Sequence, residues 1–228
     1  TTDATTLRPT TAKAGDLIVS ATVSPTGQRA VFEARGDVVT VPAENGAILN
    51  LTRSSGVAER YPTWSPDGTT IAYWSDRTGE YELTVRPADG SGAERKITSL
   101  GQGFRYQAQW SPDSKKVVFA DQAMKIRIVE IESGKVTSID QSPQWMAHGA
   151  LEAWRFAWSP DSRWIAYARG VGNYGVSAIY LVDTRDGKKT QVTAGYLNDS
   201  QPTFDPDGKY LFYASDRTFA PVYGSFDT

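Results

Sequence analysis

The sequence predicts an all-β fold, a β-propeller of four-stranded antiparallel blades with about five blades present, on three observations. One short unit recurs as Val23-Ser24-Pro25-Thr26-Gly27, Trp64-Ser65-Pro66-Asp67-Gly68, Trp110-Ser111-Pro112-Asp113-Ser114, Trp158-Ser159-Pro160-Asp161-Ser162 and Phe204-Asp205-Pro206-Asp207-Gly208. Its prolines fall 41, 46, 48 and 46 residues apart, a period that suits a blade too small to bury its apolar face alone. An aromatic follows each motif proline by seven residues (Phe32, Tyr73, Phe119, Tyr167 and Tyr213), which holds one face of one strand in register through every copy.

Residues 1–20 form a lead-in segment, and blades follow at about 21–60, 61–105, 106–153, 154–198 and, in part, 199–228. The second copy reads most clearly. Tyr61-Pro62-Thr63-Trp64 is a short innermost strand, and Ser65-Pro66-Asp67-Gly68 turns because Pro presets φ, Asp bonds the local backbone and Gly tolerates positive φ. Ile71-Ala72-Tyr73-Trp74 has the aromatic and β-branched content of a strand, and Tyr81–Arg86 alternates apolar with polar. A turn at Pro87–Gly92 leads to the outer strand Arg95-Lys96-Ile97-Thr98. Third strands recur at Val38–Val41, Ile126–Ile131 and Ala178–Val182, and outer strands at Asn50-Leu51-Thr52, Val136–Ile139 and Gln191-Val192-Thr193. No stretch between these breakers has a sustained helical period. The fifth copy stops after Val222-Tyr223-Gly224-Ser225-Phe226. Either the lead-in supplies the missing strand and closes five blades, or the chain is an incomplete piece of a six- or seven-bladed ring; the second is preferred.

Composition narrows function. The 228 residues carry a net charge of −2 without a basic stripe, which argues against nucleic acid. No apolar run is long enough to span a bilayer, and no signal-peptide pattern opens the chain. The start at Thr1-Thr2-Asp3 suggests a processed or excised segment. With no cysteine there are neither disulfides nor thiolate metal sites.

The motif W-S-P-D-G followed by I-A-Y-x-S-D-R resembles the TolB-type propeller repeat. It is closer to the tricorn-type serine proteases and their bacterial homologues, through Val31–Asp37, Glu59-Arg60-Tyr61-Pro62, Gly79–Leu83, Trp110–Lys116 and Phe204–Leu211. In particular the chain resembles the second of two propellers that precede PDZ and peptidase domains. The resemblance implies a non-catalytic gate or channel for peptides, with peptides or unfolded polypeptide, the PDZ and peptidase domains and a homo-oligomer as partners. It also implies a bacterial source, cytoplasmic or periplasmic. The alternative is a TolB-type propeller that binds a protein partner. A full second propeller would need about two more blades.

The chain alone offers no catalytic set. A Ser-His-Asp system needs a histidine base, and only His148 exists, in the long loop Gln141–Trp154; neither Gly-x-Ser-x-Gly nor Ser-x-x-Lys occurs. No cofactor and no metal are expected: Asp205-Pro206-Asp207-Gly208 resembles the start of a calcium loop but lacks its later acidic ligands. In Ser75-Asp76-Arg77 and Ser215-Asp216-Arg217, Asp caps a hairpin and Arg pairs across neighbouring blades. Asn50-Leu51-Thr52 and Asn198-Asp199-Ser200 match the glycosylation pattern, the first inside an outer strand. The substrate-channel candidates are Arg60, Arg105 and Arg155, which recur where an outer strand leads to the next innermost strand. Guanidinium groups at one opening would attract peptide carboxylates, unless acids such as Glu59 and Glu152 pair with them. Calcium at millimolar concentration is expected to leave the melting temperature unchanged; a rise of several degrees would overturn the turn reading of Asp205 and Asp207.

Overall fold

A computed structural model describes residues 13–172 and 176–216. The expected strand at 222–226, most of the lead-in and Arg217 lie outside these residues. The chain divides into two compact parts, residues 1–103 and 104–228.

The first part holds two antiparallel sheets. After a 3-10 turn at Ala14–Leu17, one sheet runs in the order β1 (Ile18–Val23), β2 (Arg29–Ala34), β3 (Asp37–Pro42), β4 (Leu49–Asn50). The other runs β5 (Glu59–Trp64), β6 (Thr70–Ser75), β7 (Glu82–Pro87), β8 (Arg95–Lys96). Val31, Val38, Leu51, Trp64, Ile71, Tyr73 and Ala88 from both sheets form one buried cluster.

The second part holds β9 (Gln109–Trp110), β10 (Lys116–Ala120), β11 (Lys125–Glu130) and β12 (Val136–Gln141) in one sheet. A further sheet contains β13 (Ala157–Trp158), β14 (Trp164–Val171), β15 (Val176–Asp183) and β16 (Lys189–Gln191). A pair, β17 (Asp199–Phe204) and β18 (Leu211–Ser215), completes the described strands. A five-residue helix, α1 (His148–Glu152), interrupts the loop before β13 and turns Leu151 into the core with Trp154, Phe156, Ile165 and Tyr167. The fold is all-β, with meandering four-stranded sheets of the propeller-blade type.

The repeated turn works through its serine. Ser65, Ser111 and Ser159 each donate to the aspartate two residues on, at 2.5 Å. The same hydroxyls accept the N–H five residues on, from Thr70, Lys116 and Trp164, at 3.0, 2.9 and 2.8 Å. One hydroxyl thus satisfies both an acid and the first amide of the second strand. The turn closes at positive φ, on Gly68 at 74° but on Ser114 and Ser162 at 59°. Ser162 gains from this conformation, since its hydroxyl accepts the N–H of Asp113 from the preceding turn at 2.9 Å.

The threonine that ends an outer strand also has a defined task. Oγ1 of Thr52, Thr98 and Thr193 accepts the N–H of Val38, Leu83 and Ile179, at 3.1, 2.9 and 2.9 Å. Pairing stops earlier than the sequence suggests in the first sheet. There Asn50 Oδ1 accepts the N–H groups of Thr52 and Arg53 and turns the chain away. Of the five spaced aromatics, Tyr73, Phe119 and Tyr167 are fully buried, Phe32 is half-buried, and Tyr213, on β18, is 36% exposed.

Ser159→Ala is expected to lower the unfolding free energy by about 1 kcal/mol, because the half-buried Trp164 N–H loses its acceptor; urea denaturation of both proteins measures it.

Candidate functional site

Arg60 stands beside a bulge that its own strand imposes. The register of β5 against β6 shifts between Arg60 and Thr63, and Tyr61 takes φ of 52° ahead of Pro62. The same device recurs in β17, where Gln201 at 51° precedes Pro202. Proline removes a ladder donor, so each strand bends there. The amide freed at Tyr61 donates to Glu33 Oε2 at 3.0 Å, and the Ser20 hydroxyl donates to the same oxygen at 3.0 Å. Strands β1, β2 and β5 are thereby tied through one buried carboxylate. Arg60 then places its guanidinium 5.8 Å from the centre of the Tyr81 ring. Burial raises the Tyr81 pKa, and Arg60 opposes that shift. An open groove of about 470 Å³ lies against Arg60, with Arg35, Glu33 and Asp16 as its other charged groups and Ile18, Val19 and Val57 among its apolar ones.

The other two arginines sit in the second part and differ from each other. Arg105 forms an isolated antiparallel bridge with Asp121 and is only 5% exposed. Arg155 is exposed, and it donates to the Glu152 carbonyl oxygen at 2.6 Å rather than to that residue's carboxylate. His148, at the start of α1, places Nδ1 at 3.0 Å from Tyr106 Oη and Nε2 at 4.0 Å from Glu152 Oε2. Both ring nitrogens therefore face a phenol and a carboxylate.

Arg77 pairs within its own sheet and not across neighbouring blades. Its Nε lies 2.7 Å from Glu94 and its Nη2 3.8 Å from Glu59, because β5 and the β7–β8 loop both converge on the β6–β7 turn. The Asp76 carboxylate does not bond within that turn but accepts the Ala58 N–H ahead of β5 at 2.8 Å, while the turn closes by the Gly79 N–H donating to the Asp76 backbone carbonyl at 2.7 Å.

The ionic junction at Asp140 had no signal in the sequence. Asp140 on β12 is buried, which alone would raise its pKa. Lys189 at 2.5 Å, the Tyr167 hydroxyl at 2.6 Å and Arg169 at 2.9 Å outweigh burial and hold it below the usual range. The Arg169 guanidinium lies 4.0 Å from the Tyr180 ring centre. The carboxylate therefore pins β12 to the sheet that follows it.

Glu59 has the opposite balance. Its side chain has no exposed surface, Oε2 has no hydrogen-bond partner among the described residues, and Oε1 accepts from the Ser54 hydroxyl at 2.6 Å. Burial raises its pKa despite Ser54, Thr52 and Arg77, with Asp37 adding repulsion. A neutral acid suits this place, since an orphaned carbonyl oxygen costs less than an orphaned half of a carboxylate. A raised pKa gives stability that is full at low pH and lost as pH rises through the folded value. The unfolding free energy is therefore expected to fall as pH climbs above the ordinary carboxylate range, and Glu59→Gln to abolish that decline. Denaturant titrations across pH measure both.

A family model described as the tricorn protease second beta propeller domain matches residues 18–227. Tricorn protease homolog 1 of Streptomyces coelicolor is 32% identical over 209 residues, covering 90% of this chain and 19% of the relative. The tricorn protease homolog of Saccharolobus solfataricus is 30% identical over 196 residues, covering 86% and 17%. Among solved structures, the tricorn protease crystal structure aligns with a TM-score of 0.71 at 23% identity, covering 92% of this chain and 21% of that one. A putative TolB from Agrobacterium tumefaciens aligns with a TM-score of 0.61 at 20% identity, covering 90% and 72%. The chain spans about a fifth of the length of these tricorn relatives.

Proposed function

Because the chain belongs to the tricorn protease second β-propeller family, we propose that it serves a tricorn-like serine peptidase as a non-catalytic substrate gate and docking scaffold. The observation that carries this reading is the match itself. It runs from residue 18 to 227 of a domain that occupies only about a fifth of the matched relatives. In this reading the chemistry belongs to other segments of the parent protein, namely the PDZ and peptidase domains, and the parent assembles as a homo-oligomer. The only histidine, turned toward Tyr106 and Glu152, is consistent with that division of labour.

Peptides or unfolded polypeptide are the partners of the propeller. Arg60, which lines the groove, and the exposed Arg155 are the side chains that steer them, by drawing carboxylates toward an opening. Arg105, buried beside Asp121, contributes mainly by holding the strand that follows it. A second reading, a TolB-type interaction module, draws on the TolB likeness, where the alignment takes in 72% of the other chain. The two separate by size: a gate requires a parent several times longer, which the mass of the native protein reveals.

Peptide turnover by the full-length protein tests the gate. Arg60→Ala and Arg155→Ala are each expected to lower kcat/KM for acidic peptides about threefold, the scale of one exposed ion pair, while a small uncharged fluorogenic substrate is cleaved as before. Arg105→Ala is expected to lower the melting temperature instead. Unchanged selectivity in the first two variants would sink the gating role.

A further inference from the structure

The cation that the gate reading leaves unused is Arg29, at the start of β2. Its backbone is fixed: the Arg29 N–H donates to Ser24 Oγ at 3.1 Å, and the residue pairs with Pro42 across the hairpin. The guanidinium is fixed as well, through one nitrogen. Nη2 donates to Thr40 Oγ1 at 2.8 Å, to the Ala47 carbonyl at 2.9 Å and to the Thr40 carbonyl at 3.3 Å. Thr40 is fully buried, so this end of the side chain is clamped. All three acceptors are uncharged, and Nε is buried without an acceptor. Among the described residues Arg29 makes no ion pair. A half-buried guanidinium held by neutral oxygens alone favours an anion at whatever donor remains.

Nη1 is that donor. It makes no hydrogen bond among the described residues and, unlike Nε, it is not buried. Arg29 lines an open groove of about 540 Å³ between the β1–β2 turn and the loop that follows β3. A Cβ on Gly46 would lie 3.9 Å from Nη1, so this loop passes directly beside the nitrogen, and glycine keeps the approach clear. The side chains of Gln28 and Asn45 also line the groove, both exposed and without a hydrogen bond among the described residues. With Nη2 occupied and Nε buried, the guanidinium cannot grip a ligand by two nitrogens. It offers one nitrogen to one oxygen, as a carboxylate presents. Glu44, exposed in the same lining, disfavours more highly charged anions.

We propose that the groove beside Arg29 binds the carboxylate of a peptide, one oxygen accepting from Nη1 with the amides of Gln28 and Asn45 around it. The inference rests on the reading of the chain as a peptide gate, and adds an anchor that the arginines before successive sheets do not supply.

Three peptides, each with a fluorophore on its amino end, test it by binding to this chain. One is Leu-Glu-Leu with an amidated end, one is Leu-Gln-Leu with a free acid end, and one is Leu-Gln-Leu-amide. At least one acid is expected to bind about fivefold tighter than the uncharged amide, the upper scale of an ion pair that stays in contact with water. The tighter acid tells whether a side chain or a terminus is taken. Arg29→Gln is expected to erase the preference. Because Arg29 also clamps the loop, that variant is expected to melt at a lower temperature, and two exposed substitutions that spare the clamp decide the matter if it unfolds. Glu44→Gln is expected to tighten the acids about twofold and Asn45→Asp to weaken them by as much, with the uncharged amide unmoved in both. Equal binding of all three probes, a preference that survives Arg29→Gln, or one that neither loop substitution moves overturns the proposal. Turnover by the parent with Arg60 or Arg155 replaced is a separate readout, so the anchor can fail while the gate stands, and the reverse.

Discussion

Three of the four-stranded sheets depend on a serine hydroxyl held between an aspartate and the amide that opens the second strand. The contact is short, local and repeated, with Ser65, Ser111 and Ser159 in the same role. It fixes where the first strand ends and the second begins. The seven-residue step to Tyr73, Phe119 and Tyr167 then carries each ring into the interior. Strand β6 shows the result, with every residue after Thr70 buried on one face or the other. The apolar effect supplies most of the free energy, but the turn sets the register in which that burial occurs.

This explains why the fold was legible in the sequence. Turn chemistry and strand alternation are written within a few residues, so a reader without coordinates recovers the sheets and their order. The threonine at the end of an outer strand was legible as a pattern, and its hydrogen bond to the third strand supplies the reason. Long-range polar pairing was not legible. Asp140 meets Tyr167, Arg169 and Lys189 from separations of 27, 29 and 49 residues, and no local rule singles it out. The candidate arginines show the same boundary. Their recurrence before successive sheets was visible, but alternation could not tell that Arg105 is buried while Arg155 is exposed.

The junctions between neighbouring sheets also differ in charge state. Asp140 is a carboxylate stabilised by cations and a phenol, whereas Glu59 is an acid that burial favours keeping neutral. Glu33 is held differently again, accepting from the Ser20 hydroxyl and the Tyr61 amide, both at 3.0 Å. A repeated fold therefore does not repeat its polar interior. Each junction solves separately the problem of burying an acid, and only some of those solutions respond to pH.

The hydroxyl of the buried Ser162 makes the same point at the turn of the repeat. Glycine would fit its backbone angle more easily, yet the serine reaches back to the amide of Asp113 in the preceding turn. Adjacent copies are consequently not interchangeable modules. Rewriting every turn to a common Ser-Pro-Asp-Gly consensus would relax the chain locally while uncoupling two neighbours, and transplanting this blade elsewhere would leave its serine without the amide it evolved to meet. Sequence averaging, which usually favours repeat proteins, would here remove information that specifies the order of the copies.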